Sequence, residues 1–126
     1  MVCLAACILP ILTMFIAKVS LSRIPRKAGG FDNAHPRDWE AKLTGWQNRA
    51  KAAQDNGFEA LPLFIAGVVF AQMAQADQAR IDMLAISFIV IRLTYVGAYL
   101  MNWASVRSVI WIAGVGLSIA LLVMGA

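Results

Sequence analysis

The feature that most constrains this chain is the length of its uncharged runs. Residues 1–17 carry no charged side chain, nor do 60–76 or 108–126, and 83–106 carry Arg92 alone. A hydrocarbon core about 30 Å thick needs about 20 apolar residues per helix, with a range of about 17–25. Four spans fit once flanking residues are added. The runs are apolar all round, which excludes the alternating segments of about ten residues that build a transmembrane barrel. Of the 126 residues, 60% are hydrophobic and 14% charged. That is too little polar surface for a water-soluble domain of this size. The expected fold is all-α, an integral membrane four-helix bundle forming one domain over 1–126.

The first span is expected over about 2–22, with Pro10 inside it, tolerated in a membrane helix with a kink. It lacks the basic start of a cleaved secretion signal. Leu4-Ala5-Ala6-Cys7 has the look of a lipoprotein cleavage box, but it sits too close to Met1 to follow a complete signal. Cys3 and Cys7 stand one turn apart with no histidine or further cysteine, so they read as small hydrophobes and no metal site is expected. A polar loop over 23–45 holds Pro25, Gly29, Gly30, Asp32, Asn33, Pro36 and Gly45, all turn formers. The second span is expected over about 40–76, amphipathic at first and apolar later, with its start between Asp38 and Trp46. The turn Asp77-Gln78 leads to a third span over about 80–101, and Asn102 to Ser105 lead to a fourth over about 106–124.

Basic residues set the orientation. Arg23, Arg26, Lys27, Arg37, Lys42, Arg49 and Lys51 lie at one end of the bundle, joined by Arg107, whereas Arg80 alone marks the other. Lysine and arginine accumulate on the cytoplasmic side. The 23–51 region is therefore expected in the cytoplasm and both termini outside. No nucleic-acid motif accompanies the net charge of +4, and anionic lipid is the nearer partner.

Ionisable groups inside the hydrocarbon are expensive and mark buried pairs or functional sites. In the second span Arg49, Gln54, Asn56 and Glu59 precede Pro62, and Arg49, Asn56 and Glu59, spaced by seven and three, share a helix face. In the third, Arg92, Tyr95 and Tyr99 are spaced by three and four. Glu59 with Arg92 is the expected buried pair, either fixing the packing of the helices or forming part of a site. Arg107 and Ser108 at the start of the fourth span favour an anion, or anchor the helix at the membrane surface. Arg23, just beyond the first span, is explained by snorkelling to the interface. His35 is the one histidine and lies alone in a Gly/Pro loop, weak evidence for catalysis. There is no glycine-rich phosphate loop, nucleophile elbow or metal-ligand cluster.

Arg49-Ala50-Lys51-Ala52-Ala53-Gln54-Asp55-Asn56-Gly57-Phe58-Glu59-Ala60-Leu61-Pro62-Leu63-Phe64 resembles the second-helix signature R-x-x-x-A-x-x-N-x-x-E-x-x-P-x-F of the MAPEG family, the membrane-associated proteins in eicosanoid and glutathione metabolism. The likeness continues through Arg92-Leu93-Thr94-Tyr95, Tyr99 and Arg107-Ser108, and the loop Phe31-Asp32-Asn33-Ala34-His35-Pro36-Arg37 looks like the bacterial branch. The resemblance implies a homotrimer of four-helix subunits in a bacterial inner membrane. It also implies glutathione bound between subunits near the cytoplasmic side. The thiol would add to lipophilic electrophiles or reduce lipid hydroperoxides. By position, Asn56 and Glu59 would hold the glutathione backbone, Glu59 at its amino group. Arg23, Arg49 and Arg92 would pair with its carboxylates or with Glu59. Tyr95 and Tyr99 would supply hydrogen bonds, and Gln54 belongs to the same candidate set. Arg107 or Ser108 would stabilise the thiolate.

The likeness has departures. Several relatives carry a further arginine or histidine in the second helix, where this chain has Ala52 and Gln54. A tyrosine one turn after the catalytic arginine is matched at best by Trp111, and the turn before the fourth helix is one residue shorter. The reading that follows is a membrane-bound glutathione-dependent transferase or peroxidase. The alternative is a non-catalytic MAPEG-like protein that binds a lipid or a small anion. A small transporter would be expected to carry an acidic residue in its first helix, and 1–22 has none. A purely structural membrane subunit ranks between these.

Overall fold

The computed structural model describes residues 1–126 and contains helices only. Four are long and apolar enough to cross a bilayer: α1 (Val2–Leu21), α3 (Gly45–Met73), α4 (Gln78–Leu100) and α5 (Ala104–Met124). A short α2 (Pro36–Ala41) and one 3₁₀ turn, Arg26–Ala28, lie in the loop after α1. The 29 residues of α3 make a rod of about 43 Å at 1.5 Å per residue, so its polar first turns stand clear of a hydrocarbon core of about 30 Å.

The second span starts at Gly45, inside the expected window of Asp38 to Trp46, and the short α2 before it is set off by a break at Lys42–Thr44. Gly45 opens α3 with φ +60°, a left-handed backbone that glycine adopts without a Cβ clash. The break turns α2 across the end of the bundle. At its far end α3 stops at Met73, ahead of the expected 76. Gln75 takes φ 53°, its N–H donates to Gln72 O at 3.0 Å, and the Ala76 N–H donates to Ala71 O at 3.1 Å. This left-handed stop is the Schellman arrangement, here without its usual glycine. Asn102, φ 60°, ends α4 the same way, with the Trp103 N–H donating to Ala98 O at 2.9 Å. The Arg107 N–H reaches Trp103 O at 2.9 Å, so α5 starts at Ala104, two residues before the expected 106.

Only 22 of the 126 residues are buried, because most apolar side chains of a lone four-helix subunit point outward, as lipid-facing residues do. Ile11, Phe15, Val69, Val90, Ile112 and Val123 are among them. α3 and α4 each pack against both α1 and α5. Hydrophobic driving force is weak between helices in lipid, so close packing through small residues has to hold them. Gly67 is one such position: a Cβ there would lie 2.9 Å from Leu121 Cβ on α5.

The interior falls into three layers along the bundle axis. The first is dry: Ala6, Phe64, Ala71, Ile81, Ala85, Phe88 and Leu121, with the Phe64 and Phe88 rings stacked at 3.9 Å. The last, at the basic end, contains Met14, Ala17, Trp39 and Ala50. The 23–45 loop folds onto it as a cap. Trp39 Nε1 donates to Gly29 O at 3.1 Å, Phe31 meets the Trp39 ring edge-on at 5.0 Å, and Lys18 forms an ion pair with Glu40 at 3.6 Å. Asn56 of α3 and Arg92 of α4 meet between these two layers.

Candidate functional site

Arg92 is the centre of the middle layer. It is 5% exposed, and its Nη1 donates to Asn56 Oδ1 on α3 at 3.0 Å. The guanidinium lies 4.4 Å from the Tyr95 ring centroid, within the range of a cation–π contact. α1 can come close here because Pro10 faces Gly57. A Cβ on Gly57 would lie 2.8 Å from Pro10 Cγ and 3.7 Å from Arg92 Nη2. Proline inside α1 and glycine inside α3 are each unfavourable choices for a helix interior. Here they form a matched knob and notch beneath the buried arginine.

The expected Glu59–Arg92 pair is absent. Glu59 is exposed on the outer side of α3, and no ion pair involves Glu59, Arg92 or Arg107. The reason is helical geometry. Three residues beyond Asn56 amount to about 300° of rotation, which turns Glu59 about 60° from the Asn56 direction and out of the bundle. The shorter, neutral Asn56 takes its place. An arginine has five N–H donors, and one side-chain hydrogen bond uses one of them. Arg92 therefore enters the middle layer with most of its donor capacity unused by side chains and with the Tyr95 ring, not a carboxylate, facing its charge.

From Arg92 a row of aromatic and cationic groups leads to α5. Tyr95 and Tyr99 meet edge-on at 5.7 Å, and the Arg107 guanidinium lies 4.2 Å from the Tyr99 ring centroid. Beside this row opens a cleft of about 390 Å³ lined by Asn56, Tyr95, Arg107, Ser108, Trp111 and Ile112. Arg107 is half-buried and Ser108 exposed, and the Ser108 hydroxyl donates to Ala104 O at 3.2 Å. The serine proton is thus taken up by its own helix, while the Arg107 side chain lines the cleft with no hydrogen-bond or ion-pair partner. Of the sequence candidates, Asn56, Tyr95, Arg107 and Ser108 line the cleft, with Arg92 behind Asn56 and Tyr99 beneath Arg107.

Besides Glu59, three candidates lie elsewhere. Arg49 Nε donates to Leu100 O at 3.1 Å, satisfying a carbonyl that the end of α4 leaves free. Gln54 is two residues, or about 200°, around α3 from Asn56. It makes no side-chain hydrogen bond and does not line the cleft. Arg23 is exposed in the turn after α1. Two cleft residues were not expected as lining: Trp111 and Ile112. Their signal was available, since Trp111 lies four residues after Arg107 and so on the same face of α5.

A second hollow of about 410 Å³ lies in the cap, lined in part by Arg26, Asp32, His35 and Lys42. The Ala34 N–H donates to Asp32 Oδ1 at 3.0 Å. That backbone donor, with His35 and Arg26 adding to it, holds the Asp32 carboxyl below its usual range. These groups satisfy one another and stabilise the loop.

The MAPEG family model matches residues 1–126, the whole chain. This chain belongs to the MAPEG family. No curated protein and no solved structure matches it significantly. Membership places it among integral membrane proteins of the glutathione-related transferase and peroxidase type. The open cleft beside Arg107 combines a guanidinium, a tyrosine and an indole at one wall of this MAPEG chain. A guanidinium next to a thiol favours the thiolate, and the thiolate is the nucleophile.

Proposed function

We propose that this MAPEG protein is a membrane-bound glutathione-dependent transferase or peroxidase acting on lipophilic electrophiles or hydroperoxides. The observation that carries the reading is the unmatched charge in the middle layer. Arg92 and Arg107 have no acid within the chain, and Glu59 has no base. Uncompensated charge at membrane depth is costly. Glutathione brings two carboxylates, an ammonium and a thiol, the complement of that set. Arg92 and Asn56 would receive a carboxylate and the peptide backbone, Glu59 the ammonium, and Arg107 the sulfur. Tyr95 and Tyr99 would add hydroxyl donors. Arg49, Arg23 and Gln54 are peripheral in this scheme.

The working form in this reading is a homotrimer. Glu59 points away from its own bundle, and Gly97 and Gly116 face open space, which leaves room for the close approach of a second copy. Its site end faces the cytoplasm of a bacterial cell, where the basic residues accumulate. Glutathione would enter from water and the second substrate from lipid.

An unperturbed thiol has a pKa of about 8.5, and each unit by which a cation lowers it corresponds to about 1.36 kcal/mol. In transfer the thiolate forms a C–S bond and the electrophile expels its leaving group, or takes up a proton where it has none. In hydroperoxide reduction the thiolate takes the outer peroxide oxygen and the alcohol leaves. A second glutathione then converts the sulfenic acid to disulfide and water.

The test is thermal unfolding of the purified protein in detergent during a glutathione titration. A ligand at about 100 times its dissociation constant adds about 2.7 kcal/mol to a fold that alone binds it. Saturable stabilisation is expected, with thiolate absorbance present in the wild type and lost in Arg107→Ala. Absence of stabilisation at millimolar glutathione overturns this reading. Stabilisation by anionic lipid in its place would establish the non-catalytic alternative.

A further inference from the structure

Trp111 occupies a position that the glutathione scheme above does not use. It stands four residues after Arg107 on α5, is 44% exposed, and has no hydrogen-bond partner in the chain. It helps to line the open cleft of about 390 Å³. It also lines a second, interior crevice of about 20 Å³, together with Leu63, Phe88, Arg92 and Gly114. No other residue borders both spaces. The indole is therefore the partition between them. The crevice behind it has room for about one water molecule, whereas the cleft in front accommodates a small organic molecule. Ile112 continues the apolar wall on the lipid side.

We propose that Trp111 determines which lipophilic substrates this cleft accepts. Its indole is the wall on which a flat, electron-poor aromatic electrophile stacks beside Arg107, and it bars longer aliphatic chains from the crevice. This inference rests on the glutathione-dependent reading and adds to it the residue that selects among the electrophiles. The chemistry is consistent. An indole is electron-rich, and offset stacking on an electron-poor ring adds about 0.5–1.5 kcal/mol beyond area burial. In a halonitrobenzene the thiolate attacks the ring carbon that bears the halogen, and a C–S bond forms. Negative charge spreads over the ring and nitro groups, where the Arg107 guanidinium can stabilise it. The C–halogen bond then breaks and halide leaves with its electron pair. The thiol proton has already gone to water.

The experiment uses the full chain in detergent, as wild type, Trp111→Phe and Trp111→Ala. Chlorodinitrobenzene and a long-chain α,β-unsaturated aldehyde serve as electrophiles. The ratio of kcat/KM for the aromatic to that for the aldehyde is expected to fall by about three- to ten-fold in Trp111→Ala, mainly through the aromatic KM. Trp111→Phe is expected to retain most of the ratio, and glutathione-dependent thermal stabilisation is expected to persist in both. Equal losses toward the two electrophiles, or a phenylalanine variant that behaves like the alanine one, overturn the proposal. A second readout needs no turnover. Dinitrobenzene, which has no leaving group, is expected to quench tryptophan emission saturably without glutathione, and this component is expected to vanish in Trp111→Phe. No saturable component in the wild type, or one that survives in Trp111→Phe, overturns the proposal. Saturable quenching assigned to Trp111 without turnover by any variant separates the cases: the glutathione chemistry then fails while the aromatic contact stands.

Discussion

The layer around Phe64 and Phe88 and the layer around Arg92 lie next to each other in one bundle and are finished to different degrees. In the first, the buried side chains are apolar apart from Ser118, whose hydroxyl donates to Gly114 O in its own helix; the two rings stack at 3.9 Å, and alanines allow the helices to approach. Nothing outside the chain is needed to complete it. In the second, a guanidinium is buried with one side-chain hydrogen bond and no counter-charge, a second guanidinium rests on Tyr99, and a carboxylate faces outward. The dry layer holds the bundle together. The middle layer is left incomplete by the single chain, and an incomplete polar layer at membrane depth is where a ligand contributes most to stability.

Four substitutions or conditions break or sharpen that contrast. Arg107→Ala is expected to have the largest effect and to fall on chemistry alone. Removing one charge-stabilising donor lowers turnover by about 10²–10³-fold, while unfolding in detergent should move by less than about 0.5 kcal/mol for a half-exposed side chain. Steady-state kinetics and thermal unfolding of the same sample separate the two. A large loss of stability would show that Arg107 belongs to the fold as much as to the site.

Gly57→Ala is expected to come next and to fall on the fold. The new Cβ would lie 2.8 Å from the rigid Pro10 ring. Overpacking of this kind costs about 1–3 kcal/mol, and α1 must move off α3 beside Arg92. Unfolding measurements in bicelles would show it. A neutral result would mean that the knob and notch of Pro10 and Gly57 yields easily.

Asn56→Ala leaves Arg92 without its one side-chain acceptor. A loss of about 1–3 kcal/mol is expected without ligand. If glutathione completes the middle layer, part of that loss should return at saturation. The comparison of unfolding temperatures with and without glutathione tests it, and identical losses in both would separate Arg92 from the ligand.

The smallest effect concerns the cap. The Asp32 carboxyl titrates below its ordinary value of 3.8, chiefly through the Ala34 N–H. A carboxyl with a lowered folded-state pKa contributes stability that is fully present above its unfolded value. That contribution is lost as pH falls through the lowered one. The cap should therefore be unchanged from neutral pH down to about 4 and loosen only below it. Hydrogen exchange at the Ala34 amide reads this directly, and Asp32→Asn should abolish the acid dependence.

How far each layer could be read in advance differs for the same reason. The spans followed from uncharged runs, because the bilayer sets a length requirement that a linear sequence meets or fails. Their ends were less legible. Gln75 and Asn102 stop helices with left-handed backbones, which few non-glycine residues signal, and the break at 42–44 accompanies the docking of Trp39 onto Met14, Ala17 and Ala50, contacts remote in sequence. The site residues were recognisable as charged and aromatic groups at membrane depth. Their pairing was not.

The sequence by itself determined that the chain has four membrane-spanning helices, that its basic residues gather at one end, and that Asn56, Glu59, Arg92, Tyr95, Tyr99 and Arg107 stand out among its apolar spans. Only the tertiary structure decided that Arg92 bonds Asn56 and not Glu59, that Arg49 closes the end of α4, and that Trp111 separates the cleft from the crevice. Length and polarity are local properties that residue order records directly. Partner choice depends on how each helix is rotated about its axis, and steps of 100° per residue turn a shift of three positions into a different face of the bundle.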